Sequence, residues 1–255
     1  MAKCEFDYHG LHIEAQAPTF QTLWTGLKHY ITPYEKEFHT LKIAADIDKC
    51  KIIVDVGACI GAFSMLYSQA NPNAKIYAYE PATINYKHLV ENMKNYPNVI
   101  CRKKALGHSN GSVEIALPSI DQKSHTQTIN PPDNTGIISI YGKSDTYRET
   151  VPCVRLDDEI ESADFIKIDA EGHEYNILLG MERIMRESHP RIILEMFKHN
   201  MEMAGVSPEE MVRLLLERDY RFVLAWRQDW LFFHKSDKVE ETKRWINERS
   251  KKKKL

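Results

Sequence analysis

Residues 51–67 read KIIVDVGACIGAFSMLY, and their pattern decides the fold of this chain. KIIVDV is a short, nearly continuous apolar run, as expected of a strand buried on both faces. Gly57 and Gly61 bracket a tight turn, and AFSMLY carries helical apolar spacing. A strand, a glycine turn and a helix open a βαβ unit whose turn lets backbone approach a ligand closely. From Lys51 onward the alternation repeats: KIYAYE, a helix over 84–95, NVICRKKAL, VPCVRL, ADFIKID, a helix over 173–187, RIILEMF and a helix over 208–218. Such alternation builds a parallel sheet. YRFVLAW and DWLFFHK follow, separated by Arg227-Gln228, which is hairpin spacing and adds an antiparallel pair.

The rest of the chain surrounds this unit. Residues 1–50 read as an N-terminal cap: Cys4 to Gln16 alternates around His9-Gly10 like a hairpin, and Leu23, Leu27, Tyr30 and Tyr34 have helical spacing broken at Pro33. The main domain spans 51–235, with a polar insertion or lid at about 119–150, and 236–255 form a charged C-terminal helix or tail ending in SKKKKL. The 255 residues are 43% hydrophobic, enough for one good core. A net charge of −2 gives no electrostatic case for nucleic acid or a membrane surface, so a small partner is expected. Five cysteines without a C-x-x-C pair argue against a disulfide framework and a cysteine zinc site. Reduced thiols, no apolar leader and no long apolar run suggest a soluble, cytoplasmic protein.

In a doubly wound sheet, ligands bind outside the carboxyl ends of the strands. Glu80 ends the second strand and is placed to accept hydrogen bonds from both ribose hydroxyls, so adenosine is an expected part of the ligand. Dinucleotides and S-adenosylmethionine both fit. The dinucleotide fingerprint G-x-G-x-x-G is missing, and Asp55 beside the turn would repel a pyrophosphate while suiting the amino group of a methionine moiety. The charge favours S-adenosylmethionine. The glycine turn by itself is equally compatible with tight packing.

VDVGACIGAFS, YAYEPATINYKHLVENM, KKALGHSNGSVEI, VPCVRLDDEI, FIKIDAEGHEYNILLG and RIILEMF together resemble the FkbM-like methyltransferases, over about residues 51–234. E-P after the second strand, combined with I-D-x-E-G-x-E, is far more specific than the turn. The resemblance implies an α/β, doubly wound, mostly parallel seven-stranded sheet of the class I (Rossmann-like) methyltransferase type, with a C-terminal antiparallel hairpin and a small N-terminal cap. It implies O-methyl transfer from S-adenosylmethionine to a small-molecule or glycan hydroxyl. By position, Asp55, Gly57, Ala58 and Gly61 would line the methionine side, Glu80 the ribose, and Ala105 and Leu106 the adenine. Cys59 departs from the Asn common in the family.

Alignment of nucleophile and methyl supplies most of such a reaction, and a general base adds about 10²–10⁴-fold. Asp169, Glu171 and His173 follow the fourth strand and are the expected catalytic residues; His173 suits a base because a free imidazole titrates near pH ~6.5. Their ordinary alternative is helix N-terminal packing, which fits Glu174 best. The same three could hold a divalent ion, a use the sequence does not favour over metal-free catalysis. Glu195 and His199 are possible acceptor contacts, and an ion pair between Lys167 and Glu195 is conceivable. N-P-P-D at 130–133 lacks the aromatic of the base-flipping methyltransferase turn and follows the wrong strand. Trp226, Trp230, Phe232 and Phe233 read as core, and the lysine run as a solvated end. A non-catalytic cofactor-binding module of a glycan-assembly complex and an NAD-dependent oxidoreductase stand as alternative functions.

Overall fold

The computed structural model describes residues 1–8, 11–17, 46–117, 138–141, 148–226 and 228–237. The helical spacing after Phe20, the His9-Gly10 turn, N-P-P-D, most of the insertion and the lysine tail lie outside the described residues. The chain begins with an antiparallel pair, β1 (Ala2–Tyr8) and β2 (Leu11–Ala17). The βαβ series then runs β3 (Ile52–Val56), α1 (Ala62–Ala70), β4 (Lys75–Tyr79), α2 (Thr83–Asn92) and β5 (Val99–Arg102). Three strands outside the main sheet follow: β6 (Ala105–Leu106), β7 (Gly111–Ala116) and β8 (Arg148–Val154). The series resumes with α3 (Leu156–Glu159), β9 (Phe165–Ile168), α4 (Glu174–Leu179), α5 (Glu182–Glu187), β10 (Arg191–Glu195), α6 (Lys198–Ala204) and α7 (Pro208–Leu216). β11 (Tyr220–Trp226) and β12 (Asp229–His234) close it.

The seven-stranded sheet has the order β11-β12-β10-β9-β3-β4-β5. β12 runs antiparallel to both its neighbours, while β10, β9, β3, β4 and β5 pair in parallel. β3 and β9 sit at the centre, and their apolar residues are buried on both faces, as a helix-covered parallel sheet requires. Val54, Val56, Ile166, Ile168, Ile192 and Leu194 face one core with α4, α5 and α7. Ile53, Phe165 and Ile193 face the other, with Tyr67 of α1. Each large aliphatic buried this way contributes about 1.5–3 kcal/mol. Ser207 and Glu210 close a reciprocal capping box at the start of α7, with Pro208 in the first turn.

Two expected elements are divided. NVICRKKAL is not one strand: β5 ends at Arg102, and Ala105 begins β6, which pairs in parallel with β8 in a three-stranded sheet completed by β7. The intervening lysines cannot enter a buried sheet, and they turn outward to pair, Lys103 with Glu149 and Lys104 with Glu159. The helix over 173–187 breaks at Gly180-Met181 into α4 and α5. Here Gly180 packs against the chain between β6 and β7: a Cβ on it would lie 1.9 Å from the Gly107 carbonyl oxygen.

The N-terminal pair docks on α1 and α2 through an apolar cluster that includes Ala15, Ala17, Met65 and Leu89, and through the polar side chain of Asn92. Asn92 accepts from the Gln16 amide and donates to the Gln16 and Ile60 carbonyls. Gly180→Ala should destabilise the protein by about 1–3 kcal/mol, the usual cost of forcing atoms into a packed contact, and lower the thermal midpoint by several degrees. An unchanged midpoint in a denaturation scan would show that the α4–α5 break does not depend on this contact.

Candidate active site

The carboxyl ends of β3, β4, β9 and β10 converge on one rim. Gly57 and Ala58 both donate their amides to the Tyr79 carbonyl at 3.0 Å, which closes the turn onto β4. Gly57 has φ +76°, and a Cβ there would lie 1.8 Å from the Asp169 carbonyl oxygen. Gly61 has φ +89°, and a Cβ would meet Leu89 of α2 and Met93 just beyond it. Gly57 is thus required by backbone packing and Gly61 by its left-handed backbone, whatever ligand the turn receives.

Two acids beside the turn have features that packing does not explain. Asp55 is 1% exposed; its Oδ2 accepts from the Ser64 hydroxyl at 2.6 Å, while its buried Oδ1 has no hydrogen-bond partner. Burial raises its pKa, opposed by the charge of Lys167. An unpaired acceptor of this kind suits an ammonium donor. Glu80 is also buried, and its two oxygens accept from the Cys59 and Ala82 amides at 2.9 Å each. Burial pushes its pKa up to about 8 in spite of those bonds. Between them, Cys59 adopts a left-handed conformation with φ 52°, a position that Asn tolerates better than Cys. Ala105 and Leu106 are buried in β6, and Ala105 shares an apolar cluster with Ala82, two residues beyond Glu80. The set fits an adenosine-bearing cofactor with a free amine.

The second group is acidic. Asp169, Glu171 and Glu195 are half-buried, and one carboxylate oxygen of each lies within 4.8 Å of the others. Lys167, 5% exposed, donates to Asp169 Oδ2 at 3.0 Å, stands opposite Asp55 in the β3–β9 ladder, and lies 4.6 Å from the Phe63 ring centroid. Burial would lower the pKa of this lysine, but Asp169 and Asp55 together raise it. Glu195 is held far above the ordinary carboxylate range, first by the charge of Asp169 and then by burial, and it shares a hydrogen bond with Asp169. Glu171 is raised by burial and by Asp169; its backbone is left-handed at φ 51°, and Asn200 donates to its Oε2 at 2.6 Å. The expected ion pair of Lys167 is therefore made with Asp169. Three such oxygens could hold a hard divalent ion.

The rim does not gather all the residues expected there. Glu195 joins Asp169 and Glu171, whereas the His173 Nδ1 faces the Tyr141 hydroxyl at 3.1 Å and the Asn176 amide at 3.5 Å. Burial lowers the His173 pKa to about 4, helped by His108. His173 precedes α4 without a side-chain cap bond, and its ring reaches toward the chain after β6: a Cβ on Gly107 would lie 3.2 Å from its Nε2. His199 is exposed on α6 with its ring edge-on to Phe197, and the next residue, Asn200, meets the carboxylates instead. Glu174 is structural: its Oε1 accepts from the Ala170 and Gly172 amides and shapes the loop before its own helix. Ser64, Asn176, Ser139 and Tyr141 were not legible as site residues; only the spacing of Ser64, on the buried face of α1, could have signalled contact with Asp55.

Comparison with known proteins agrees with this geometry. Residues 55–222 match the Methyltransferase FkbM domain. The chain belongs to that methyltransferase family. Methyltransferase sdnD of Sordaria araneosa is 26% identical over 212 residues, covering 73% of this chain and 79% of that protein. Hexuronic acid methyltransferase AglP of Haloferax volcanii is 28% identical over 190 residues, covering 70% and 71%. The solved structure of Methyltransferase FkbM from Methylobacillus flagellatus KT superposes with a TM-score of 0.51 at 20% identity, covering 84% of this chain and 54% of that one, a likeness of fold. Among the described residues no helix is long and apolar enough to cross a membrane.

The buried Glu80 gives a pH test. Its folded pKa of about 8 exceeds the ordinary 4.5, so across that window the folded state holds a proton that the unfolded chain has released. Its contribution to stability therefore falls as pH rises from about 4.5 to about 8 and is level above. The thermal midpoint of the wild type should decline relative to that of Glu80→Gln across this window. Parallel curves would mean that Glu80 is ionised throughout.

Proposed function

We propose that the protein is an S-adenosylmethionine-dependent O-methyltransferase acting on a hydroxyl of a sugar or glycan. The observation that carries this reading is the contact of the Gly57 turn with Asp169, which sets the cofactor-side acids Asp55 and Glu80 beside the carboxylates Asp169, Glu171 and Glu195. Bound at the turn, S-adenosylmethionine would supply an electrophilic methyl group. The unpaired Asp55 Oδ1 would accept from its amino group, Glu80 from its ribose hydroxyls, and Ala105 and Leu106 would wall its adenine.

The acceptor hydroxyl then needs alignment and a place for its proton. Glu171 suits the proton transfer: with its pKa raised to about 8 it is a stronger base than an ordinary carboxylate, and its ionised fraction grows as pH rises from neutral through that value. Glu195 keeps its own proton near neutrality and so serves as a donor to Asp169 rather than as a base. Asp169, flanked by Lys167 and Glu195, can orient the hydroxyl. The similarity to a hexuronic acid methyltransferase supports a sugar acceptor.

The test incubates the purified protein with S-adenosylmethionine and a panel of methyl glycosides, uronosides included, and follows S-adenosylhomocysteine and methylated product by mass spectrometry. Turnover should appear with a glycoside and fall about 10²–10⁴-fold in Glu171→Gln. Calorimetry should show S-adenosylhomocysteine binding weakened in Glu80→Ala and retained in Glu171→Gln. Full turnover in Glu171→Gln would remove Glu171 as the base, and absence of cofactor binding would overturn the reading altogether.

A further inference from the structure

The loop from Asp169 to His173 is held from three sides. Its own helix grips it through Glu174, and α6 grips the Glu171 carboxylate through Asn200. The third hold comes from residues 138–141, a short piece of the polar insertion between β7 and β8. Ser139 pairs with Ala116 at the end of β7, which anchors this piece to the three-stranded sheet. Its hydroxyl donates to the Glu171 carbonyl oxygen at 2.7 Å and accepts from the Tyr141 amide at 3.1 Å. Two residues on, the Tyr141 hydroxyl accepts from the Asn176 side-chain amide at 3.0 Å. Its proton is then available to His173 Nδ1, 3.1 Å away, and a bond donated there goes with a neutral imidazole whose own proton is on Nε2.

We infer that Ser139, Tyr141 and His173 form a clasp that positions Glu171, so that His173 is a positioning residue and not the base. The inference rests on the reading of Glu171 as the proton acceptor. Ser139 fixes the Glu171 backbone at its strained left-handed φ, and the Tyr141–His173–Asn176 chain fixes the following turn of α4. Together they couple the insertion, where acceptor contacts are expected, to the carboxylate that receives the proton. A substrate that shifts residues 138–141 would thereby shift Glu171.

Tyr141→Phe keeps the ring and removes the hydroxyl; Ser139→Ala removes the other bond and serves where the first variant folds poorly. With S-adenosylmethionine and the best methyl glycoside, each should lower kcat by roughly tenfold to a hundredfold, the scale of a small misplacement at a reacting group, with KM for S-adenosylmethionine within about twofold of wild type. Long-range ¹H–¹⁵N spectra near neutral pH should show His173 with an unprotonated Nδ1 in the wild type, and a shifted Nδ1 resonance in Tyr141→Phe. Wild-type kcat in both variants, alongside an impaired Glu171→Gln, would overturn the clasp alone. A protonated Nδ1 in the wild type would overturn it too. Full activity in Glu171→Gln would remove the reading beneath it, and the clasp with it.

Discussion

The arrangement depends on one buried cation. Lys167 lies at the centre of the sheet, where an unpaired ammonium would cost several kcal/mol in lost hydration. It is tolerated because Asp169 bonds it, Asp55 stands opposite it in the ladder, and the Phe63 ring lies near its charge. Residues 165, 167 and 169 share one face, so the register that buries Phe165 against Tyr67 also sends Lys167 under α1 and Asp169 to the rim. A slip of one residue would turn the lysine into the opposite apolar core. The pairing of β3 with β9 thus specifies the fold and delivers the carboxylates in the same step.

The same cation orders the protons on the rim. Its charge is shared between Asp55 and Asp169, and little of it is left for Glu171 and Glu195. With Asp169 charged, a second carboxylate a few ångströms away is driven to keep its proton, and Glu195 does so while sharing a hydrogen bond with Asp169. Glu171, bonded by Asn200, lies between these extremes. Three acids of similar intrinsic strength are thereby given different proton affinities by environment alone.

Much of this was legible in the sequence, because period and punctuation carry it. The run at 51–56, the glycine turn and E-P at Glu80 located the rim that carries Asp55 and Glu80, and D-A-E-G-H located the acidic loop. The strand order and the terminal hairpin followed the expected class. The sequence was silent where contacts join distant segments. Nothing local to Gly180 reveals that the Gly107 carbonyl lies against it, and nothing in KKAL says that two lysines separate two sheets. The direction of His173 is of the same kind: residue type suggested a base, whereas the ring's orientation depends on Tyr141, thirty-two positions away.

Two left-handed residues, Cys59 and Glu171, occur in the two loops that meet at the rim, with φ 52° and 51°. Each such conformation costs about 1–3 kcal/mol and persists only where surrounding bonds over-determine it. The Cys59 amide is tied to Glu80; the Glu171 carbonyl and carboxylate are tied to Ser139 and Asn200. The Cys59 turn is thus held by the carboxylate that follows the next strand, while the Glu171 loop is held by residues outside the β3–α1–β4 unit. That difference ties Cys59 within one βαβ unit and leaves the acidic loop dependent on residues 138–141 and on α6. Changes in those two segments would then act on the acidic loop while the β3–α1–β4 unit remains intact.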